Sequence, residues 1–329
     1  MLFTRALPIV AAAAALVVGT AIPASADSAP LTDTGTTRLQ GTDRYATAVA
    51  VSASTFSAPQ DVVFVASGQD FPDALATGPA AASADAPILL VKQDSVPDAV
   101  ITELERLKPS HLVVIGGPGA ISEATEQHLA GYATSSERVF GLNRYETAEE
   151  ILSGMGGVDA VYLSSGAGFA DALGGGAAAA AEGGGLLLTT KDKLPDATVR
   201  ALQASTPSHV VILGGTGVVS AAVETQVKSL LPTAVVDRAG GDDRFETAGI
   251  LAEALWGDSG AGTAFVASGM GYADALAATP VAYVNDGPIL LTKGTCTPDV
   301  TDFVLNDLAP NLTVYLGGPA VSYSGTKVC

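Results

Sequence analysis

The chain has 329 residues, with 34 acidic side chains against 16 Lys and Arg and a formal net charge of -18; 48% of its residues are hydrophobic. It contains no basic run, so nucleic acid is excluded as a partner, because duplex binding rests on clustered Lys and Arg that neutralise phosphates. An anionic ligand must find locally placed cations or a bridging metal ion.

Residues 1–26 read as a secretory signal peptide: Arg5 near the start, an apolar run from Ala6 to Val18, and the small-residue cleavage site Ala24-Ser25-Ala26. No later stretch supplies an uninterrupted apolar helix of about 20 residues, so an exported, soluble protein with no transmembrane segment is expected. Residues 27–37 are small and polar, as in a flexible leader, and order is expected from about Arg38.

From there one signature recurs at 100-residue intervals: Gly41-Thr-Asp43-Arg44-Tyr45-Ala-Thr47-Ala48, Gly141-Leu-Asn143-Arg144-Tyr145-Glu-Thr147-Ala148 and Gly241-Asp-Asp243-Arg244-Phe245-Glu-Thr247-Ala248. A fixed period means repeated units, here 38–137, 138–237 and 238–329. Behind each signature comes an apolar strand ending in Ser-Gly, at Ser67-Gly68, Ser165-Gly166 and Ser268-Gly269. A Phe/Tyr-x-Asp-Ala-Leu step follows, then Pro87-Ile88-Leu89-Leu90, Gly185-Leu186-Leu187-Leu188 or Pro288-Ile289-Leu290-Leu291. A second helix and a last strand lead to Gly116-Gly117, Gly214-Gly215 and Gly317-Gly318. Short continuous apolar runs alternating with helical segments predict parallel strands buried on both faces, hence three-layer α/β sandwiches with right-handed crossovers.

Several positions carry chemical candidates. Asp43, Asn143 and Asp243 fit helix N-caps, with Glu146 and Glu246 forming capping boxes. The following arginines are disfavoured beside a positive helix N-terminus, which points to a partner carboxylate in the neighbouring unit or on a ligand. Ser67, Ser165 and Ser268 with Asp73, Asp171 and Asp274 look like hydrolase groups. A triad needs a base, however, and the three histidines, His111, His128 and His209, miss the third unit and the strand ends where the serines fall. The Gly-Gly turns resemble phosphate nests but lack the GxGxxG spacing, so no cofactor is expected. Lys92, Lys191 and Lys293 place a cation near a strand's carboxyl end in each unit, the edge where open α/β sheets bind ligands. Cys296 and Cys329 read as a disulfide rather than metal ligands, with no CxxC or nearby His. The third unit lacks the closing helix of the others.

The ordered motifs Arg-x-x-Gly-x-Asp-Arg-Tyr-x-Thr-Ala, Ser-Gly-x-x-Phe-Pro-Asp-Ala-Leu, Pro-Ile-Leu-Leu and Val-x-x-Ile-Gly-Gly-Pro resemble the cell wall-binding repeat 2 family over about 38–329. The resemblance implies three tandem Rossmann- or Toprim-like modules packed as a pseudo-threefold triangle, that is, a monomer holding an intramolecular pseudo-trimer. It implies non-covalent, non-catalytic attachment to the Gram-positive envelope through an anionic wall polymer. Its site residues would be Arg44, Arg144 and Arg244 with Pro87, Ile88, Leu89, Leu90, Leu186, Leu187, Leu188, Pro288, Ile289, Leu290 and Leu291. Unit two departs from the pattern, with Gly185 for the Pro and Leu186 for the Ile. An amidase-like wall hydrolase and a self-associating surface-coat protein remain the alternatives.

Overall fold

The structure, a computed structural model, describes residues 28–70, 73–294, 296–318, 321, 328 and 329; the signal segment and most of 319–327, where the missing closing helix was read, lie outside them. In chain order the elements are β1 (Gly35–Leu39), α1 (Arg44–Thr55), β2 (Val62–Ser67), α2 (Thr77–Ser83), β3 (Ile88–Val91), α3 (Asp98–Leu107), β4 (His111–Ile115), α4 (Glu123–Ala130) and β5 (Ser135–Val139). The second unit continues with α5 (Arg144–Gly154), β6 (Ala160–Ser165), α6 (Ala170–Ala181), β7 (Gly185–Thr189), α7 (Asp196–Ser205), β8 (His209–Leu213), α8 (Ala221–Leu230) and β9 (Val235–Ala239). The third adds α9 (Arg244–Trp256), β10 (Thr263–Ser268), α10 (Ala273–Val284), β11 (Ile289–Thr292), α11 (Asp299–Leu308) and β12 (Leu312–Leu316).

These strands form three four-stranded parallel sheets, ordered β3-β2-β4-β5, β7-β6-β8-β9 and β11-β10-β12-β1. Strands β2, β3 and β4 and their counterparts are the continuous apolar runs, almost wholly buried, as expected when helices cover both faces of a parallel sheet; β3 ends its hydrogen-bonded row but is covered by helices. The fourth strand of each sheet was not legible as a strand. Gly-Thr-Thr-Arg-Leu, Ser-Ser-Glu-Arg-Val and Val-Val-Asp-Arg-Ala are short and partly exposed, as edge strands tend to be. Strand β5 straddles the 137/138 division of the repeat and hydrogen-bonds into the first unit's sheet.

The same rule closes the chain into a ring. Strand β1 pairs with β12, from Gly35 opposite Leu312 to Leu39 opposite Leu316, so the first strand completes the third unit's sheet. This corrects the expectation of a flexible leader over 27–37. Ala29 N donates to Thr55 O (3.0 Å), Leu31 N to Asn285 Oδ1 (2.7 Å) and Gly35 N to Asn311 O (2.7 Å). Composition hid these anchors, because in every one of them the segment contributes only a backbone N–H.

The helices α2, α6 and α10 meet one another at the centre of the molecule, which gives the pseudo-threefold triangle. They are built largely from Ala, Gly and Thr. A Cβ at Gly78 would lie 2.7 Å from Thr279 Cγ2, so α2 and α10 are already at closest approach. Around the ring, α1 packs on α10, α5 on α2 and α9 on α6. Each signature helix therefore covers the central helix of the preceding unit, and unit one follows unit three. Cys296 and Cys329 form the expected disulfide (Cα–Cα 5.8 Å), beside a bridge between Thr297 and Val328.

Candidate functional site

Most of the signature is accounted for by local folding. Asp43 Oδ1 accepts from the backbone N of Tyr45 (3.0 Å) and Ala46 (2.9 Å), and Asn143 and Asp243 cap their helices in the same way. Glu146 and Glu246 reach one residue beyond the cap, to the N of Leu142 (2.8 Å) and Asp242 (2.6 Å). The N–H of Gly41, Gly141 and Gly241 donates to Oγ1 of Thr47, Thr147 and Thr247 at 3.1, 3.1 and 3.2 Å. A Cβ at these glycines would sit 2.3, 2.2 and 2.4 Å from the first helical turn, so no side chain fits. The ring of Tyr45, Tyr145 or Phe245 in turn lies on Gly68, Gly166 or Gly269.

The arginine is what remains. Arg44 Nη1 donates to Gly68 O (2.5 Å) and Tyr272 Oη (3.3 Å), with its guanidinium 5.6 Å from the Tyr272 ring centroid. Arg244 donates to Gly269 O (2.6 Å) and lies 5.7 Å from the Phe169 ring centroid, and Arg144 donates to Gly166 O. In each case the carbonyl is the unit's own, whereas the rings under Arg44 and Arg244 belong to the preceding unit. The preceding unit also supplies a carboxylate: Asp274 near Arg44, Asp73 near Arg144 and Asp171 near Arg244.

Burial pushes all three carboxyls above the usual carboxylate range. Bonding from Thr147 and the charge of Arg144 partly offset this for Asp73, as do Thr247 and Arg244 for Asp171, and Arg44 for Asp274. The neighbouring unit thus brings a carboxylate within electrostatic reach of each arginine. These aspartates do not cap helices: α6 and α10 have Phe169 and Tyr272 at their N-caps, without a side-chain bond. Each lies instead against the first glycine of a Gly-Gly turn. Gly116, Gly214 and Gly317 have φ of 102°, 89° and 92°, and a Cβ there would come 3.1, 2.6 and 2.3 Å from the aspartate Oδ2. The surface on which a nest would hold an anion faces the chain's own carboxylate.

Clefts open at these junctions, at the carboxyl ends of the strands. One of about 470 Å³ between units one and two is lined by Gln69, Asp70, Asp73, Gln93, Asn143 and Arg144, among others. One of about 520 Å³ between units three and one includes Asp43, Arg44, Phe169, Met270, Tyr272 and Asp274.

The other expected site residues fall elsewhere. Pro87 is buried, and Ile88, Leu89, Leu90, Leu186, Leu187, Leu188, Ile289, Leu290 and Leu291 are at most 1% exposed; Pro288 is buried too. Their side chains fill the core and offer a ligand no surface. Lys92 and Lys293 follow equivalent strand ends, with Nζ 5.8 and 5.4 Å from the ring centroids of Tyr45 and Phe245. Lys191 is not their counterpart. Strand pairing sets Val91, Thr189 and Thr292 opposite Ser67, Ser165 and Ser268, so Thr190 matches Lys92, and Lys191 matches Gln93. The N–H of Ser122 and of Ser220, bonded to Gln93 O and Lys191 O, confirms that register.

The hydrolase groups are also placed. Ser67, Ser165 and Ser268 accept from the backbone two residues on, at 3.2 Å each, and serve turns. His111 and His209 open β4 and β8, at the opposite end of the sheets, beside Ser135 and Asp237. Among the described residues no cluster of His, Cys, Asp and Glu could hold a metal ion.

Sequence reasoning passed over Arg38, Arg138 and Arg238. Arg38 donates to Gly317 O (2.7 Å), Gly318 O (2.9 Å) and Val321 O (3.1 Å), Arg138 to Gly116 O (2.6 Å) and Arg238 to Gly214 O (2.8 Å). They tie β1, β5 and β9 to the Gly-Gly turns. Their recurrence three residues before the signature glycine was the available signal.

A family model described as cell wall binding domain 2 matches residues 38–126, 138–224 and 238–326. The chain belongs to this family. Among curated proteins it is 30% identical over 264 residues to N-acetylmuramoyl-L-alanine amidase LytC of Bacillus subtilis (strain 168), covering 80% of this chain and 51% of the amidase. It is 32% identical over 284 residues to the amidase enhancer of the same organism, covering 86% of this chain and 38% of that protein. The chain thus spans about half the length of these family relatives, or less. Among solved structures it matches Cwp6 from Clostridium difficile (TM-score 0.80, 25% identity, 89% of this chain and 46% of that one). It also matches Cwp8 from the same organism (TM-score 0.78, 27% identity, 87% and 49%).

Proposed function

We propose that this chain is a non-catalytic binding body that attaches, after export, to an anionic polymer of the Gram-positive cell wall. The carrying observation is the junction itself: an arginine from one unit near a half-buried aspartate from the preceding one, repeated three times around the ring. An array of polar clefts fits a repeating polymer whose units carry both hydroxyls and anionic groups. Weak contacts at several junctions then add through effective concentration, as the ring fixes the clefts at set distances. Family membership supports the wall as the target. The engagement of the serines in turns, and the histidines at the far end of the sheets, support binding without catalysis.

The test is sedimentation of the protein with purified Gram-positive walls, before and after extraction of their anionic polymer. Binding should fall sharply on extraction; equal binding to stripped walls would overturn the polymer reading and favour self-association or protein contacts. Replacing Arg44, Arg144 and Arg244 together with Ala should weaken binding while a cooperative melt persists. Gly68 O still receives the Tyr272 hydroxyl (2.9 Å), so that carbonyl is not orphaned. If the Ala variant does not fold, the triple Lys variant, which keeps the cation but not the planar fork, should still bind walls less tightly.

A further inference from the structure

The repeat hides an inequivalence between the junctions, and it lies in the residues that do not recur. At the junction of units one and two, the loop after β2 carries Gln69 and Asp70, where the other units have Ala167-Gly168 and Met270-Gly271. The strand-end position held here by Gln93 is Lys191 in unit two and Gly294 in unit three. The rim carries Leu142, 92% exposed, where units one and three have Thr42 and Asp242. Beside it Phe140, 44% exposed, lies over Gly117, and the matching positions are Gln40 and Gly240.

We infer that the cleft between units one and two is a sugar-reading subsite, which takes an uncharged pyranose ring rather than the anionic group of the polymer. This deepens the wall-binding reading and rests on it. Three amides (Gln69, Gln93 and Asn143) and two carboxylates line this cleft with a single guanidinium. Carboxylates accept hydroxyl protons, and amides both donate and accept, which is what a ring of hydroxyls requires. The Gln69 amide is oriented: its Oε1 accepts from Gln93 N at 2.6 Å, so its NH₂ donors are left for a ligand. The apolar rim at Leu142 and Phe140 suits the C–H face of a pyranose. A phosphate would enter beside Asp70 and Asp73, and the like charge disfavours it. At about 470 Å³ the cleft has the size of a small-ligand site.

The experiment is calorimetric titration of the full chain with a neutral N-acetylhexosamine oligosaccharide and, separately, with glycerol phosphate. The wild-type protein should bind the oligosaccharide, and the Gln69→Ala/Gln93→Ala variant about tenfold more weakly, with glycerol phosphate binding unchanged. Asp70→Asn, nearly isosteric, should also lose oligosaccharide affinity while gaining affinity for glycerol phosphate. Phe303→Ala, an exposed position of α11 that lines neither cleft, should leave the oligosaccharide affinity unchanged. Oligosaccharide binding indifferent to all three first-junction substitutions, or glycerol phosphate binding lost with Gln69 and Gln93, would overturn the inference. Because wall sedimentation is measured separately, a protein that binds walls but fails this titration leaves the broader reading standing.

Discussion

Gly317→Ala probes the contact on which the junction geometry turns. Gly317 has φ of 92°, in the left-handed region, and a Cβ there would lie 2.3 Å from Asp274 Oδ2 and 3.1 Å from its Cγ. Holding an alanine at such a φ costs about 1–2 kcal/mol. The carboxylate is the end of a short side chain and can swing aside, so the overlap adds about 1 kcal/mol, the low end for overpacking. The expected loss is about 2–3 kcal/mol. Trp256, the only tryptophan, is buried in the same unit, so its fluorescence during urea unfolding reports on the right part of the molecule. Gly271→Ala is the control, since nothing lies within 4 Å of its Cβ position; it should shift stability by less than about 0.5 kcal/mol. In an Asp274→Ala background the cost of Gly317→Ala should shrink to the backbone share of about 1–2 kcal/mol. A cost unchanged in that background, or no larger than the control's, would refute the account of the turn.

Two further outcomes are expected. Reducing the Cys296–Cys329 disulfide, whose partners are 33 residues apart, should destabilise the third unit by about 3–4 kcal/mol on the chain-entropy model, read as a lower urea midpoint by Trp256 fluorescence with and without reductant. Asp73, Asp171 and Asp274 have folded-state pKa values raised above the unfolded value, so the folded chain holds protons that the unfolded one has released. Their contribution favours folding below about pH 4 and is lost as pH rises through the folded pKa; Asp171→Asn should therefore flatten the decline in melting temperature above about pH 4, and an unchanged slope would count against it.

The parallel sheets and the alternation of strand and helix were legible because burial on both faces leaves continuous apolar runs such as Ile88 to Val91. Strands β1, β5 and β9 were not, since their exposed side permits Thr36, Ser135 or Asp237 where a covered strand needs Val, Ile or Leu. The repeat showed that Arg44, Arg144 and Arg244 recur, but not what faces them. Asp274, Asp73 and Asp171 each lie in another unit, and only folding brings them to their arginines. Lys191 misled for a related reason: the eye aligns lysine with lysine, whereas hydrogen-bond register aligns it with Gln93. The Pro-Ile-Leu-Leu segments, expected from the resemblance to bind the polymer, are core strands instead, as their continuous apolar composition alone also implied.

The pairing of β1 with β12 also sets an order of events. A chain growing from its N-terminus displays Gly35 to Leu39 some 270 residues before Leu312 to Leu316 exist to receive them. In the meantime this strand must remain unclaimed by neighbouring molecules. Its sequence, with two threonines and an arginine and little apolar surface, is poorly suited to premature pairing. Completion of the third sheet thus works as a check on length: a product cut short before β12 keeps an unmatched first strand and an open ring, and Arg38 finds no turn to grip.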